Sequence, residues 1–195
     1  MLATDQLATG FYTFINFANM SESEKMMVLS WRNHESVRNW MYNTKPIQEE
    51  SHLEFIEKLK ADETKKFLLV KRGQAYLGVY SLVNMRDGVG EAGFYINPEM
   101  LDKNLGFEFC YFTFMHLFGN EQVKKIVCYA LTTNRAPNSF NKLFGFTREK
   151  ITKPMNGKPM DYYYGELDKA TWEKAMEDPK VKQLVRFSLE ANKIL

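Results

Sequence analysis

Cysteine is scarce in this chain: Cys110 and Cys128 are the only two, each inside an apolar run with no His, Asp or Glu nearby at metal-ligand spacing. That argues against a disulfide scaffold and a cysteine-based metal centre, and makes buried reduced thiols in a cytoplasmic protein the expectation. An excess of charge of one sign is missing too. With 26 Lys and Arg against 24 Asp and Glu, the formal net charge is +2 and is spread along the chain, so there is no basic stripe for nucleic acid. No run approaches the roughly 18 apolar residues of a membrane span. The opening Met-Leu-Ala-Thr-Asp-Gln has neither a cationic start nor an apolar core, so neither a signal peptide nor a membrane partner is expected. Repeats and low-complexity tracts are absent. The 45% hydrophobic and 26% charged residues among 195 are ordinary for a folded chain with a single core.

Residues 11–18, Phe-Tyr-Thr-Phe-Ile-Asn-Phe-Ala, read as an opening strand, and Ser21-Glu-Ser-Glu supplies helix-cap chemistry after it. From Glu24 to about Met41, apolar Met27, Leu29, Val37 and Trp40 are interrupted by Arg32-Asn33-His34-Glu35-Ser36, which predicts two short helices or one with a break. Ser51 opens another helix, with Leu53, Ile56 and Leu59 on one face. The period then changes. Lys66 to Lys71, Tyr76 to Val83 and Glu91 to Ile96 are strand candidates joined by Arg72-Gly-Gln and Arg86-Asp-Gly, an antiparallel meander. Phe107, Cys110, Tyr111, Phe114 and Met115 recur at helical spacing after Gly106, and Lys125 to Leu131 is again a strand, so a parallel crossover is predicted there. A short helix over Ala136–Leu143 is stopped by Gly145, and Phe146 onward with Asp161 to Leu167 gives the last two strands. The expectation is one α/β (α+β) domain over residues 1–168 with a mixed, mostly antiparallel sheet. A helical extension over 169–195 would either cap the core or build an oligomer such as a homodimer.

Gly88-Val-Gly90-Glu-Ala-Gly93 spells a dinucleotide fingerprint, but a turn precedes it and a strand follows it, so its glycines have no helix N-terminus to serve and a hairpin is predicted. The required context comes later. From Gly93-Phe-Tyr-Ile-Asn-Pro to Leu105-Gly106-Phe107-Glu108 an apolar strand runs through a polar turn into an amphipathic helix, whose unpaired N–H groups suit a phosphate or pyrophosphate. No P-loop, H-E-x-x-H, Cys-x-x-Cys pair or G-x-S-x-G is present, and no metal is expected.

With this order of elements, the segment resembles the GCN5-related N-acetyltransferase (GNAT) family over roughly residues 10–168. That family binds acetyl-CoA with a R/Q-x-x-G-x-G/A loop, matched by Lys103-Asn104-Leu105-Gly106-Phe107-Glu108 except for Lys103 and Glu108. A long acidic side chain at 108 must turn away from the pyrophosphate or weaken its binding. Asn134-Arg-Ala-Pro-Asn-Ser139-Phe-Asn141-Lys-Leu-Phe-Gly145-Phe146 is similar to a second family segment, in which the Asn meets the pantetheine arm and a Tyr protonates the departing thiolate. The resemblance thus assigns Asn134 and Ser139 to the cofactor and puts Asn141 in the tyrosine's place, where an amide can donate a hydrogen bond but not a proton. Tyr129, a water, or one of Tyr162–Tyr164 would then be the acid.

Leu29-Ser-Trp-Arg32-Asn33-His34, Trp40-Met41-Tyr42 and His52-Leu-Glu-Phe look like the PseH-type branch. That branch acetylates the 4-amino group of a UDP-linked amino-dideoxy-sugar on the way to pseudaminic acid. The resemblance implies that Arg32, Asn33, Trp40, Met41 and His52 line a nucleotide-sugar site, where an arginine fork can grip a diphosphate. It also implies a thioester carbonyl near the backbone of Phe94, Tyr95 and Ile96. Glu91 is the candidate base, and Ser81 carries a hydroxyl that would orient the amine, with Asn84 expected to support it from the same strand face. Acetyl-CoA is the implied co-substrate. Two rival readings are an acetyltransferase of protein N-terminal amines and a non-catalytic acyl-CoA-binding module.

Overall fold

The computed structural model describes residues 11–103, 105–120, 123–155 and 157–191. Strand β1 (Tyr12–Asn16) runs into a 3-10 turn, Phe17–Asn19, capped by the Asn16 side chain. Helix α1 (Glu22–Asn33) begins in a capping box, Ser21 accepting from the Glu24 N–H while the Glu24 carboxylate accepts from the Ser21 N–H. The break predicted around residues 32–36 is one residue wide: His34 takes an extended conformation and at once caps α2 (Glu35–Arg38). Helix α3 (Glu49–Leu59) starts two residues ahead of Ser51, at a Gln48 that makes no side-chain cap.

Three strands follow, β2 (Lys66–Arg72), β3 (Ala75–Arg86) and β4 (Val89–Ile96). Asp87 and Gly88 have φ of 53° and 84°, as a type I′ hairpin turn requires, so the fingerprint-like glycines serve a β-hairpin as expected. After a 3-10 segment, Pro98–Lys103, come α4 (Gly106–Asn120), β5 (Lys125–Leu131), α5 (Arg135–Phe144), β6 (Glu149–Met155), β7 (Lys158–Asp168), α6 (Lys169–Glu177) and α7 (Pro179–Ala191). The strands lie in the order β1-β2-β3-β4-β5-β7-β6, with β4 and β5 parallel through Val89–Ala92 against Lys125–Cys128. This is the GNAT fold that the resemblance implied.

By packing, the described residues fall into two compact units. The first holds residues 11–83 and 93–103. Phe17, Met20, Val28, Trp31, Ile56, Leu69 and Val79 form its core, each such side chain worth about 1.5–3 kcal/mol when fully buried. On β3 the register passes from Val70↔Gly78 to Lys71↔Tyr76, so Leu77 is a bulge and Tyr76 rejoins the core face. Gly78 is obligatory there, because a Cβ would lie 2.3 Å from the Tyr95 carbonyl oxygen. The buried Asn97 ties the end of β4 to this bulge, its N–H donating to the Leu77 carbonyl (2.8 Å) and its Nδ2 to that of Tyr76 (3.0 Å).

The second unit holds residues 84–92 and 105–191. Helix α4 is apolar on nearly every face, as a helix enclosed by a sheet and other helices must be. Trp172 of α6 packs edge-on to Phe114 (5.5 Å) and stacks on Phe118 (6.2 Å), and Val181 and Val185 of α7 are buried. The helices after residue 168 are therefore part of this unit's core rather than an appendage. Gly145, φ +87°, ends α5 in the left-handed conformation that the sequence led one to expect.

Candidate active site

In the first unit the informative residue is Arg32, in the last turn of α1. Its Nη2 donates to the Asn43 carbonyl (2.9 Å), whereas Nη1 is buried with no acceptor among the described residues. Burial lowers the Arg32 pKa, and the neighbouring Tyr95 phenol opposes that shift, but a guanidinium stays charged throughout. A charge taken out of water with one face unsatisfied is costly unless an anion completes it. The loop it grips carries Trp40, half of whose surface is exposed, and Met41, and Arg38 holds the same loop at the Thr44 carbonyl (3.3 Å). Trp40 is thus an open aromatic face rather than core.

Two other expected ligands are occupied. Asn33 clamps Ile47 from both ends of its amide, Nδ2 donating to the carbonyl (2.9 Å) and Oδ1 accepting from the N–H (2.7 Å), so it closes the loop over residues 34–46. His52 is buried between α1 and α3, its Nε2 3.0 Å from the Lys25 carbonyl. A carbonyl only accepts, so Nε2 carries the proton, and burial holds the ring's pKa below the usual value. The geometry gives Asn33 and His52 structural partners rather than an open polar edge. Ser81 donates to the Gly93 carbonyl (3.2 Å), which leaves its oxygen lone pairs to accept from an amine N–H; it can orient but not deprotonate. Asn84 does not join it: the spacing from Ser81 is three, odd for a strand, and Asn84 sits exposed at φ +55° in the second unit.

The second unit carries the helix start. The Phe109 N–H is bonded to the Leu105 carbonyl, and the N–H groups of Gly106 and Phe107, the first two residues of α4, have no acceptor within the helix. Leu105 and Phe107 contribute only backbone, since their side chains are buried and the Phe107 ring stacks on Phe144 at 5.0 Å. A Cβ on Gly106 would meet Phe140 at 2.8 Å, so this glycine also sets the approach of α5. Lys103 is exposed, and Asn104 lies outside the described residues. Glu108 is turned inward: it is 1% exposed, and its Oε2 accepts from Ser188 Oγ at 2.6 Å.

Asn134, the N-cap of α5, makes no cap hydrogen bond with its side chain. The turn is held instead by Asn138, unnoticed in the sequence although it stands one helical turn on; its Nδ2 reaches the carbonyls of Leu131 (2.9 Å) and Asn134 (2.6 Å). Ser139 is exposed and bonded back to the Arg135 carbonyl (2.9 Å), an intrahelical contact. Asn141 donates to Cys128 Sγ (3.2 Å). Burial first, then the Glu91 carboxylate, pushes the Cys128 thiol up to about 12, so it is protonated at neutral pH.

Strand parity separates the acid candidates. Glu91 pairs with Val127, which shares its β5 face with Tyr129, while Cys128 and its partner Asn141 belong to the other face. Tyr129 is therefore not grouped with Asn141. Its ring packs on Tyr164 at 5.2 Å and lies under the Lys153 ammonium at 3.2 Å. Tyr164 donates to Glu166, which also pairs with Lys125 (2.8 Å), and its pKa rises to about 12. Among the described residues there is no group of three His, Cys, Asp or Glu that could hold a metal, and no helix is long and apolar enough to cross a membrane.

Residues 15–147 match the family model for the acetyltransferase (GNAT) domain. A curated relative, acetyltransferase PseH of Campylobacter jejuni, is 32% identical over 120 residues, covering 62% of this chain and 74% of the relative. The crystal structure of C. jejuni N-acetyltransferase PseH in complex with acetyl coenzyme A superposes with a TM-score of 0.64 at 23% identity, over 81% of this chain and 99% of that one. Spermidine N-acetyltransferase from Vibrio cholerae, in complex with CoA and spermine, shares the fold at a TM-score of 0.74 and 15% identity, over 84% of this chain and 99% of that one. A fold of this topology, with an open helix N-terminus at Gly106 and a family match spanning both units, leads to one assignment: the chain belongs to the GNAT acetyltransferase family, with PseH among its relatives.

Proposed function

We propose that this protein transfers acetyl from acetyl-CoA to the 4-amino group of a nucleotide-linked amino-dideoxy-sugar, in a pathway of the pseudaminic acid type. The observation that carries the acceptor class is the buried Nη1 of Arg32, without an acceptor among the described residues, at the end of α1 beside the loop that presents Trp40. A guanidinium edge matches a diphosphate, and an exposed indole offers a face for a base or sugar. The same cation disfavours a polycationic acceptor such as a polyamine, which it would repel.

In this reading the N–H groups at Gly106 and Phe107 receive the pyrophosphate of acetyl-CoA, and Asn134 meets the pantetheine arm. The backbone of Phe94–Ile96 stabilises the oxyanion. Ser81 accepts a hydrogen bond from the sugar amine and aims its lone pair at the thioester. The nitrogen–carbon bond forms as the carbonyl electrons move to oxygen, and their return expels the CoA thiolate. Glu91, directly or through water, takes the proton that nitrogen loses. Asn141 lends a hydrogen-bond donor and no proton.

A thermal-shift screen of UDP-, dTDP- and GDP-sugars, with and without CoA, tests this directly, since a ligand held by the native state raises the midpoint by mass action. Stabilisation by a UDP-amino-sugar that adds to that of CoA is expected. Acetylation of peptide N-termini with no response to any nucleotide-sugar would replace the acceptor class, and CoA binding without turnover of any amine would leave only a binding module.

A further inference from the structure

The loop that carries Trp40 is shaped by side chains from its own ends. Arg32 donates to the Asn43 carbonyl, Asn33 holds Ile47 by both ends of its amide, and Arg38 reaches the Thr44 carbonyl at 3.3 Å. These bonds fix the exit of the loop. Its entrance is the one-turn helix α2, anchored by Val37, which is 3% exposed. A helix of four residues has no cooperative reserve, so whatever starts it decides whether it forms. The start is His34. Its Nδ1 accepts from the Ser36 N–H at 3.3 Å and has Ser36 Oγ at 2.8 Å. An N–H only donates, so Nδ1 is the unprotonated nitrogen and Nε2 carries the proton. The imidazole thus takes the place that Ser, Thr, Asp or Asn commonly holds at a helix start.

We propose that His34 is a positioning residue for the acceptor: by capping α2 it holds the loop over residues 34–46 in the form that presents Trp40 and offers Arg32 the Asn43 carbonyl. In the function proposed above, on which this inference rests, Arg32 and Trp40 meet the nucleotide. His34 touches no substrate and acts through α2 alone. Without the cap a fraction of the chains has the loop unformed, and the apparent affinity for the acceptor falls accordingly. A saturating acceptor draws the loop back, so the loss appears in KM and not in kcat.

The test is steady-state acetyl transfer by the full chain to a UDP-linked 4-amino-4,6-dideoxy-hexose, with acetyl-CoA affinity by calorimetry as the control for folding. Removing a helix cap shifts a local equilibrium about two- to thirtyfold. His34→Ala is therefore expected to raise the acceptor KM about three- to tenfold, with kcat and the Kd for acetyl-CoA within about twofold of wild type. His34→Asn puts an amide oxygen in the place of Nδ1, keeps the cap and should hold the KM within about twofold of wild type. An unchanged KM in His34→Ala overturns the inference. So does a KM in His34→Asn as high as that of His34→Ala, for the ring and not the cap would then be what counts. A large fall in kcat at saturating acceptor overturns it as well, since the loop would then serve the chemical step. These outcomes leave the proposed function standing. If the wild type binds acetyl-CoA and acetylates no nucleotide-sugar, the proposed acceptor falls and this inference with it.

Discussion

Replacing Arg32 by methionine separates stability from acceptor binding, because only binding is lost outright at this residue. Methionine keeps most of the aliphatic stem and removes the guanidinium. The fold loses one hydrogen bond from a charged donor, Nη2 to the Asn43 carbonyl at 2.9 Å, worth about 1.5–3 kcal/mol. It also sheds a buried Nη1 with no acceptor among the described residues, whose burial costs about 1–3 kcal/mol. The two nearly cancel, so stability stays within about 2 kcal/mol of wild type, measurable by urea denaturation. Affinity for a nucleotide diphosphate falls. Loss of a charge-assisted fork to phosphate costs about 1.5–3 kcal/mol, or ten- to hundredfold in Kd by calorimetry, with acetyl-CoA binding untouched. The reasoning is refuted if Arg32→Met is destabilised by more than about 2 kcal/mol and binds UDP-sugar as wild type does, for Arg32 would then be a loop clamp like Asn33.

Three further outcomes follow from the packing. Burial lowers the His52 pKa below 6.5, so the unfolded chain takes up a proton that the folded one refuses; stability from this group is whole above about pH 6.5 and declines as pH falls toward the folded pKa. His52→Gln, which keeps an N–H for the Lys25 carbonyl, is expected to flatten that limb of a midpoint-against-pH curve, and an identical curve would mean that His52 does not titrate with unfolding. Gly78→Ala puts a Cβ 2.3 Å from the Tyr95 carbonyl oxygen and should cost about 1–3 kcal/mol by chemical denaturation; wild-type stability would show that the bulge at Leu77 relaxes freely. Cys128, raised to about 12, should alkylate at pH 8 about three orders of magnitude more slowly than a free thiol, and rapid labelling seen by mass spectrometry in the folded protein would contradict its burial against Asn141.

The fold was largely legible because its signals are local. Short, continuous apolar runs at 66–71 and 125–131, the Asp87-Gly88 turn, the Ser21 capping box and Gly145 each state their structure within a few residues. The site was legible only in outline, because the family motifs give positions and not partners. Arg32 stood out by residue type, yet nothing in the sequence distinguishes it from Asn33, its neighbour, whose amide is spent on Ile47. His52 looked equally available until α1 and α3 closed over it. Tyr129 and Cys128 are adjacent in sequence, and only the alternation of β5 puts them on opposite faces. The hydrogen bond from Ser188 to Glu108 carries no local signal at all, since it needs α7 to return to α4 across 80 residues.

Two of the positions that depart from the family motifs have the same physical character. Asn141 and Glu108 are both polar, each stands where the motif has a different chemistry, and each is bonded to a residue outside its motif, Cys128 Sγ and Ser188 Oγ. At 108 the partner is a serine hydroxyl on α7, donating to a buried carboxylate. At 141 the partner is a thiol that burial keeps protonated, so neither member of the pair is an acid fit to protonate a sulfur leaving group. The chemistry still balances without one. Amide formation releases one proton from nitrogen and the CoA thiolate takes up one, so the net event is a single proton carried from nitrogen to sulfur. With thiols ionising near 8.5, the thiolate can leave first and be protonated by water afterwards. The demand on the protein then shifts from acid catalysis at sulfur to binding a neutral amine in line with the thioester. In the function proposed above, Ser81, Glu91 and Arg32 are the residues that would meet that demand, by turning binding energy into orientation.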